Sequence, residues 1–233
     1  MRVIEIYPSI QGEGVAVGRP AIFVRFAGCN LKCDFCDTKY AWGEGVVDFP
    51  IEELVKEVYR HPEPVVVLTG GEPLQQSRYD LEKFCREIRA GGKEIHIETN
   101  GMNIDLDYAS RLRPYISLWT ISPKLHAVDW KYILEWFTIQ VEWEPRLPIQ
   151  FKFVIGGKDD IRKIRGLLDR IQEEVGRWPV MVSICGIEWA FQPEWSVWEE
   201  VFPNMAEWVR EVIPGVYPKA RFIPQVHKLV KQR

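Results

Sequence analysis

Cys29, Cys33 and Cys36 fall in the run Gly28-Cys-Asn-Leu-Lys-Cys-Asp-Phe-Cys-Asp-Thr-Lys-Tyr40, three thiols at C-x3-C-x2-C spacing with no fourth cysteine or histidine nearby. A closed structural zinc site takes four protein ligands in a tetrahedron, whereas three thiolates hold three corners of a four-iron cluster and leave one iron open to a small molecule. An open iron is a place for chemistry. Two other readings stay open at this point: a C-x-x-C redox pair of Cys33 and Cys36, and a zinc loop completed by a distant ligand. The cluster is favoured because the two spacings occur together, directly after a strand-like run.

The elements that must hold these thiols alternate along the whole chain. AIFVRFAG (21–28) is a β-rich run that stops at the cysteines, and IEELVKEVYR (51–60) has helical apolar spacing after Pro50. VVVLTGGEP (65–73) reads as a buried strand ending in Gly-Gly, followed by a helical stretch at 78–90. EIHIETNG (94–101), ISLWTISPK (116–124), IQFKFVIGG (149–157) and VMVSICG (180–186) continue the strands, with helix-like stretches at about 127–138, 158–175 and 195–212. Near-continuous apolar strands between helices predict a parallel sheet covered by helices. About six βα units in roughly 200 residues fall short of the closed eight-unit barrel. The expected fold is therefore α/β, a partial, open (β/α)6-type TIM-like barrel with parallel strands. The aromatic-rich stretch 125–148 reads as a core helix in preference to a dimer face, because exposed aromatic patches are uncommon unless they bind something.

Composition sets the surroundings. The 233 residues are 46% hydrophobic and 27% charged, material for one sizeable core with no need of a second domain. The net charge is −3, and Lys and Arg are scattered among Asp and Glu, so no basic block argues for a nucleic-acid partner. The start MRVIEIYPS lacks a basic-then-apolar leader, and no run of 18 apolar residues occurs, which reads as a cytosolic chain without a membrane partner. Five cysteines, three of them clustered, do not make a disulfide framework, and a reducing compartment suits thiolate ligands. Cys85 and Cys185 read as small buried residues, and His61, His96 and His126 as loop or strand filler.

The polar residues gather at the C-terminal ends of the strands. The cysteines follow the first, Gly70-Gly71-Glu72-Pro73 the second, Glu98-Thr99-Asn100-Gly101 the third and Ser122-Pro123-Lys124 the fourth. In parallel βα architectures those ends share one rim, where ligands bind.

With Phe35 immediately before its last cysteine, the C-x3-C-x2-C motif resembles the signature of the radical S-adenosylmethionine (SAM) enzymes. The resemblance implies a [4Fe-4S] cluster on Cys29, Cys33 and Cys36, and SAM chelating the unique iron through its amino and carboxylate groups. Reductive cleavage of SAM then gives a 5′-deoxyadenosyl radical, chemistry that belongs to the cofactor while the protein orients it. The same resemblance places Phe35 and Asp37 beside SAM, makes Gly71 and Glu72 of GGEP the SAM-amine motif, and adds Ser122, Pro123 and Lys124. Gln192 and Pro193, in the segment 184–195 with its unusually tryptophan-rich flanks, match the family's Gln-Pro loop near SAM.

SIQGEG (9–14), FVRFAGCN, CDT, TGGEP, ETNG, SPK and QVHK together resemble the 7-carboxy-7-deazaguanine synthase family over nearly the whole chain. That family contracts 6-carboxy-5,6,7,8-tetrahydropterin to 7-carboxy-7-deazaguanine with loss of ammonia, a step toward the deazapurine nucleosides of transfer RNA. The resemblance implies that Ile10, Gln11 and Gly12 line the pterin, that Glu13 holds its amino-pyrimidine edge, and that Arg25 pairs with its 6-carboxylate. Thr69 and His227 become substrate contacts, and Thr38 contributes a hydroxyl to Mg²⁺. The chain then reads as one radical SAM domain, 1–233, with a substrate-binding segment at about 1–20 and a substrate-contacting tail at 221–233. A short basic tail ordinarily frays; here the resemblance makes its last carboxylate, on Arg233, a pterin contact. An electron donor such as flavodoxin or ferredoxin and a homodimeric state are implied as well. Another radical SAM enzyme, such as an activase that makes a glycyl radical on a partner protein, would need neither SIQGEG nor QVHK.

Overall fold

The computed structural model describes residues 1–43, 45–102, 104–142, 148–175 and 187–231. Among the described residues nine strands form one sheet in the order β3-β1-β2-β4-β5-β6-β7-β8-β9. The strands are β1 (Arg2–Ile10), β2 (Pro20–Phe26), β3 (Val47–Asp48), β4 (Val65–Gly70), β5 (Glu94–Thr99), β6 (Leu118–Ile121), β7 (Ile149–Ile155), β8 (Glu188–Pro193) and β9 (Ala220–Phe222). From β2 and β4 through β9 all neighbours pair parallel, while β1 runs antiparallel to both β2 and β3. Six helices follow the first six parallel strands: α1 (Ile51–Tyr59), α2 (Arg78–Ala90), α3 (Leu106–Leu112), α4 (Trp130–Glu142), α5 (Lys158–Val175) and α6 (Trp198–Val212). A short α7 (Val226–Leu229) follows β9. The open, mostly parallel α/β sheet of six βα units matches the expected partial barrel. Among the described residues no helix is long and apolar enough to cross a membrane.

Period-two alternation gives each strand two different faces. Ile22, Val24, Phe26, Val66, Leu68, Ile95, Ile97 and Trp119 point outward into the main core beneath the helices. Phe23 and Val67 lie on the inner face, and the register continues that face through Arg25 beside Thr69, His96 beside Val67, and Thr120 beside both Glu98 and Gln150. The outer face is thus hydrocarbon and the inner face turns polar toward the strand C-termini, which is where a site can form. Trp136 and Phe137 of α4 are fully buried, so this part of the aromatic stretch is core, with the Trp136 indole N–H donating to the Gly101 carbonyl at 3.1 Å.

Several described elements go beyond the sequence reading. Residues 2–10 form β1, zipped along β2, within the expected N-terminal segment of about 1–20. The strand paired with β7 is Glu188–Pro193; the expected strand 180–186, with Cys185, lies outside the described residues, as do Trp143 and Arg233. Helix α3 was not expected: its two turns give little periodicity, and its start rests on Asp105, whose side chain accepts the Tyr108 N–H at 2.8 Å.

Candidate functional site

The C-terminal ends of the parallel strands open into a cavity of about 800 Å³. Cys29, Cys33 and Cys36 line it together, on the loop that leaves β2. The loop has modest internal support: the Cys36 N–H donates to the Cys33 carbonyl at 3.1 Å and the Gly28 N–H to that of Ala41 at 2.8 Å. Burial pushes the Cys29 and Cys33 thiols up, so thiolates form here only when something stabilises the charge.

The next strand-end loop presses directly on the cysteines. The Glu72 N–H donates to the Gly28 carbonyl at 2.7 Å, and a Cβ on Gly71 would stand 1.9 Å from that same oxygen. Glycine at 71 is required by this backbone contact, besides lining the cavity. The Glu72 carboxylate is buried and accepts from Leu74 N–H (3.0 Å), the Thr99 hydroxyl (2.7 Å) and Asn100 N–H (2.7 Å). It staples GGEP to ETNG and is not among the residues that line the cavity. Burial pushes its carboxyl up in spite of those donors.

The opposite wall is a charged network built from distant segments. Glu13 is ion-paired with Lys152 of β7, and its Oε1 accepts from Gln192 Nε2 (3.0 Å) and Gln225 Nε2 (2.7 Å). Burial alone would raise this carboxyl, but the charge and hydrogen bond of Lys152 outweigh it and hold Glu13 well below the usual carboxylate range. Gln11 takes the Glu13 N–H on its Oε1 (3.0 Å) and donates through Nε2 to Glu98 (3.0 Å), and Thr69 donates its hydroxyl to the other oxygen of Glu98 (3.1 Å). The tail joins in: Val226 N–H donates to the Gly12 carbonyl at 3.0 Å, and a Cβ on Gly12 would meet His227 Nδ1 at 1.9 Å. Burial lowers the His227 imidazole pKa.

Arg25 donates through Nε to Glu5 and through a terminal nitrogen to the Tyr7 hydroxyl, both at 2.8 Å. Tyr40 donates to the same Glu5 oxygen at 2.8 Å, and burial with that bond pushes its phenol up to about 12. Near the mouth, Lys228 bonds Asp37 Oδ2 at 2.9 Å and sits 5.4 Å from the Trp195 ring centre. Phe35 is half-exposed, edge-on to His126 at 5.5 Å. The Thr38 hydroxyl lies 3.6 Å from Cys36 Sγ, and Lys124 Nζ donates to Ser122 Oγ at 2.9 Å.

Of the residues singled out in the sequence, Gln11, Glu13, Arg25, Phe35, Asp37, Thr38, Thr69, Gly71, Ser122, Lys124, Gln192, Pro193 and His227 line the cavity with the three cysteines. Ile10, Gly12 and Pro123 do not, and Gly12 acts by leaving room for His227. Glu5, Tyr7, Glu98, Lys152, Trp195 and Gln225 line it without having been assigned a role. Lys152 and Glu98 carried the signal that marked Arg25, a charge inside an apolar strand.

Residues 23–188 match the family model described as the radical SAM superfamily. A 7-carboxy-7-deazaguanine synthase of Thermoplasma acidophilum is 30% identical over 230 residues, 99% of this chain and 97% of that protein. One of Pyrobaculum aerophilum is 37% identical over 170 residues, 70% of this chain and 71% of that protein. One of Hyperthermus butylicus is 48% identical over 103 residues, a stretch that spans 44% of this chain and 43% of that relative. Among solved structures, QueE from Escherichia coli aligns over 97% of this chain and 94% of its own at a TM-score of 0.65 and 23% identity, a likeness of fold.

Proposed function

The chain belongs to the radical SAM superfamily and, within it, to the 7-carboxy-7-deazaguanine synthases, and from that premise we propose that it converts 6-carboxy-5,6,7,8-tetrahydropterin to 7-carboxy-7-deazaguanine with loss of ammonia. The observation that carries the reading is that one cavity joins three cysteines to a wall of donors and carboxylates held by the protein itself. The thiols fit the cofactor. All three line one cavity from a single loop, and a four-iron cluster takes each thiolate at a separate corner. Cys29, Cys33 and Cys36 would hold it, with Gly71, Ser122, Lys124, Gln192 and Pro193 beside the SAM it carries; when bound, the pair supplies the 5′-deoxyadenosyl radical that takes a hydrogen atom from the substrate.

The remaining residues orient and enclose. Arg25, held at one end of the cavity by Glu5 and Tyr7, faces the carboxyl group of the pterin, and Gln11, Thr69 and His227 line its ring. Thr38 offers its hydroxyl to Mg²⁺, whose other ligands come from water and the bound molecules. The residues after β9, through His227 and Lys228, close the substrate side. Residues 1–233 act as one catalytic domain, a reading supported by the single sheet that joins every described strand. A flavodoxin- or ferredoxin-type donor supplies the electron, the enzyme works as a homodimer, and a reducing cytoplasm keeps its thiols available.

The test is anaerobic reconstitution with iron and sulfide, then incubation with SAM, a reductant and the carboxylated tetrahydropterin. The expected result is a brown protein with about four irons per chain that forms the deazaguanine acid by mass. A reconstituted enzyme that cleaves SAM but leaves the pterin unchanged would overturn the substrate assignment.

A further inference from the structure

Arg25 stands inside the apolar run of β2, and a small set of residues from two other segments decides how its guanidinium is presented. We propose that Glu5 is the positioning residue of Arg25. Pinned by Tyr40 at the end of the cysteine loop, it grips the Nε side of the guanidinium, so that the Nη end of the fork is the one offered to a substrate carboxylate. The inference deepens the reading of this cavity as a site for a carboxylated tetrahydropterin and rests on it.

A break in the β1–β2 ladder brings Glu5 to this place. Val3 pairs with Phe26 and Glu5 with Arg25, so two steps along β1 answer one step along β2, a β-bulge at Ile4. In an unbroken strand residues two apart share a face, and Glu5 would follow Val3 into the hydrocarbon core. The bulge shifts the alternation by one residue. Val3 lies in the outer core and Ile6 packs against it, while Glu5 and Tyr7 line the cavity. The Tyr7 ring is held in turn, stacked on Phe23 at 5.3 Å. Bulges beside active sites re-aim side chains, and this one turns a carboxylate toward Arg25.

A guanidinium carries five N–H donors in a flat, rigid fork, so the nitrogens its protein partners hold decide which remain for a ligand. Glu5 Oε1 holds Nε and the Tyr7 hydroxyl holds Nη2, each at 2.8 Å; neither holds Nη1. The same Glu5 oxygen takes the Tyr40 hydroxyl at 2.8 Å, which ties Arg25 to the loop that carries the thiols. The guanidinium carbon stands 5.9 Å from the ring centres of both Tyr7 and Tyr40, two rings that limit its swing. The Arg25 and Glu5 side chains are only 11% and 15% exposed, so water screens this pair less than a surface pair. Glu5 serves a bound acid by geometry and not by charge. Its carboxylate subtracts from the field that attracts an anion, so its benefit to binding lies in the aim it gives the fork.

The experiment measures calorimetric binding of two unreactive oxidised ligands, 6-carboxypterin and pterin, to the reconstituted enzyme with SAM. Wild type is expected to prefer 6-carboxypterin by about 100-fold, the size of a charge-assisted fork. Glu5→Ala should lose about tenfold of that preference while its pterin affinity is kept. Glu5→Gln, whose amide oxygen still accepts from Nε, keeps most of the preference. In Arg25→Ala the preference is gone, and adding Glu5→Ala changes nothing further, because Glu5 acts through Arg25. Loss of Glu5 also raises the local positive charge, so a tighter 6-carboxypterin complex in Glu5→Ala overturns the proposal. An equal loss of affinity for both ligands, the mark of a merely structural role, or an unchanged preference overturns it too, and each leaves the functional reading standing. Wild type that binds neither pterin, or both alike, overturns the functional reading of the cavity together with the proposal. Should Glu5→Ala fail to load iron, Tyr40→Phe carries the test: loss of the hydroxyl lowers the preference several-fold, and an unchanged preference overturns the proposal.

Discussion

The cysteine loop and the collar formed by residues 11–16 with the tail hang over one cavity and are held in opposite ways. The loop carries three thiols, two of them pushed toward the neutral form by burial, and few bonds of its own. The collar is locked by the protein: Glu13 by Lys152, Gln192 and Gln225, the Val15 N–H by Gln150 Oε1 at 2.9 Å, and Gly12 by the Val226 N–H. The difference teaches that the cofactor side is to be completed by its metal, which must displace thiol protons to bind, whereas the substrate side is preorganised before anything arrives.

The largest expected effect breaks the cofactor side alone. Changing Cys29, Cys33 or Cys36 to Ala abolishes iron loading and SAM cleavage, because three-point attachment has no spare ligand. Cys85→Ala keeps both, since that thiol is fully buried in the helical layer. An iron-free Cys85 variant beside a fully loaded Cys36 variant would reverse the assignment.

Breaking the collar should leave SAM chemistry alone. Deleting residues 228–233 removes Lys228, with its bond to Asp37 and its place over the Trp195 ring. The KM for the pterin is expected to rise by about 100-fold or more, with SAM binding intact, while Arg233→Ala is mild. A truncated enzyme with ordinary pterin affinity would mean that the tail is only a chain end.

Glu13→Ala tests whether the collar is also a stability element. It leaves the Lys152 ammonium buried and unpaired, a loss of about 3–5 kcal/mol readable in urea unfolding, with iron loading kept. Because the folded Glu13 carboxyl is held below its ordinary 4.5, its contribution is full above that pH and fades as the pH falls toward the depressed value. An unfolding midpoint unmoved by Glu13→Ala would make the network ornamental.

Thr38→Val lies on the seam between the two regions. Turnover should fall and its Mg²⁺ dependence weaken, with cluster and SAM binding retained; an unchanged Mg²⁺ titration removes the residue from the metal site. The smallest effect lies beneath both regions. His96 is buried on the inner face, near Glu94 and Arg19, and burial lowers its imidazole pKa to about 4. The unfolded chain takes up that proton below its ordinary 6.5 and the folded chain does not until about 4, so stability drops across this window by on the order of 3 kcal/mol and then levels. His96→Gln should flatten that slope without altering substrate discrimination.

Much of this layout was legible in the residues. The cysteine spacing, the glycines of GGEP and the apolar runs of β2, β4, β5 and β7 are local patterns, and local patterns survive without a partner. Strand β1 is less legible, because its IEIYPSI alternates imperfectly as a half-exposed antiparallel partner of β2. Strand β8 carries a weaker local signal, because its EWAFQP lacks a β-branched run. In the site, Arg25 was found as a charge in an apolar strand, while Lys152 in IQFKFVI and Glu98 in EIHIET went without roles although they show the same signal.

By itself the sequence determined that three thiols stand on one loop after a strand, that parallel strands end in glycine and polar residues, and that those ends share a rim. Such facts follow from chain geometry over a few residues, since period two and period 3.6 fix which side chains share a face. Only the tertiary structure decided what each polar side chain does once there. Gln11 meets Glu98 across 87 residues, Glu13 meets Lys152 across 139 and Gln225 across 212. No local pattern encodes which partner a given carboxylate meets across such distances. That choice arises from strand order and from the cost of burying an unpaired charge, and both exist only after the sheet has assembled around the site.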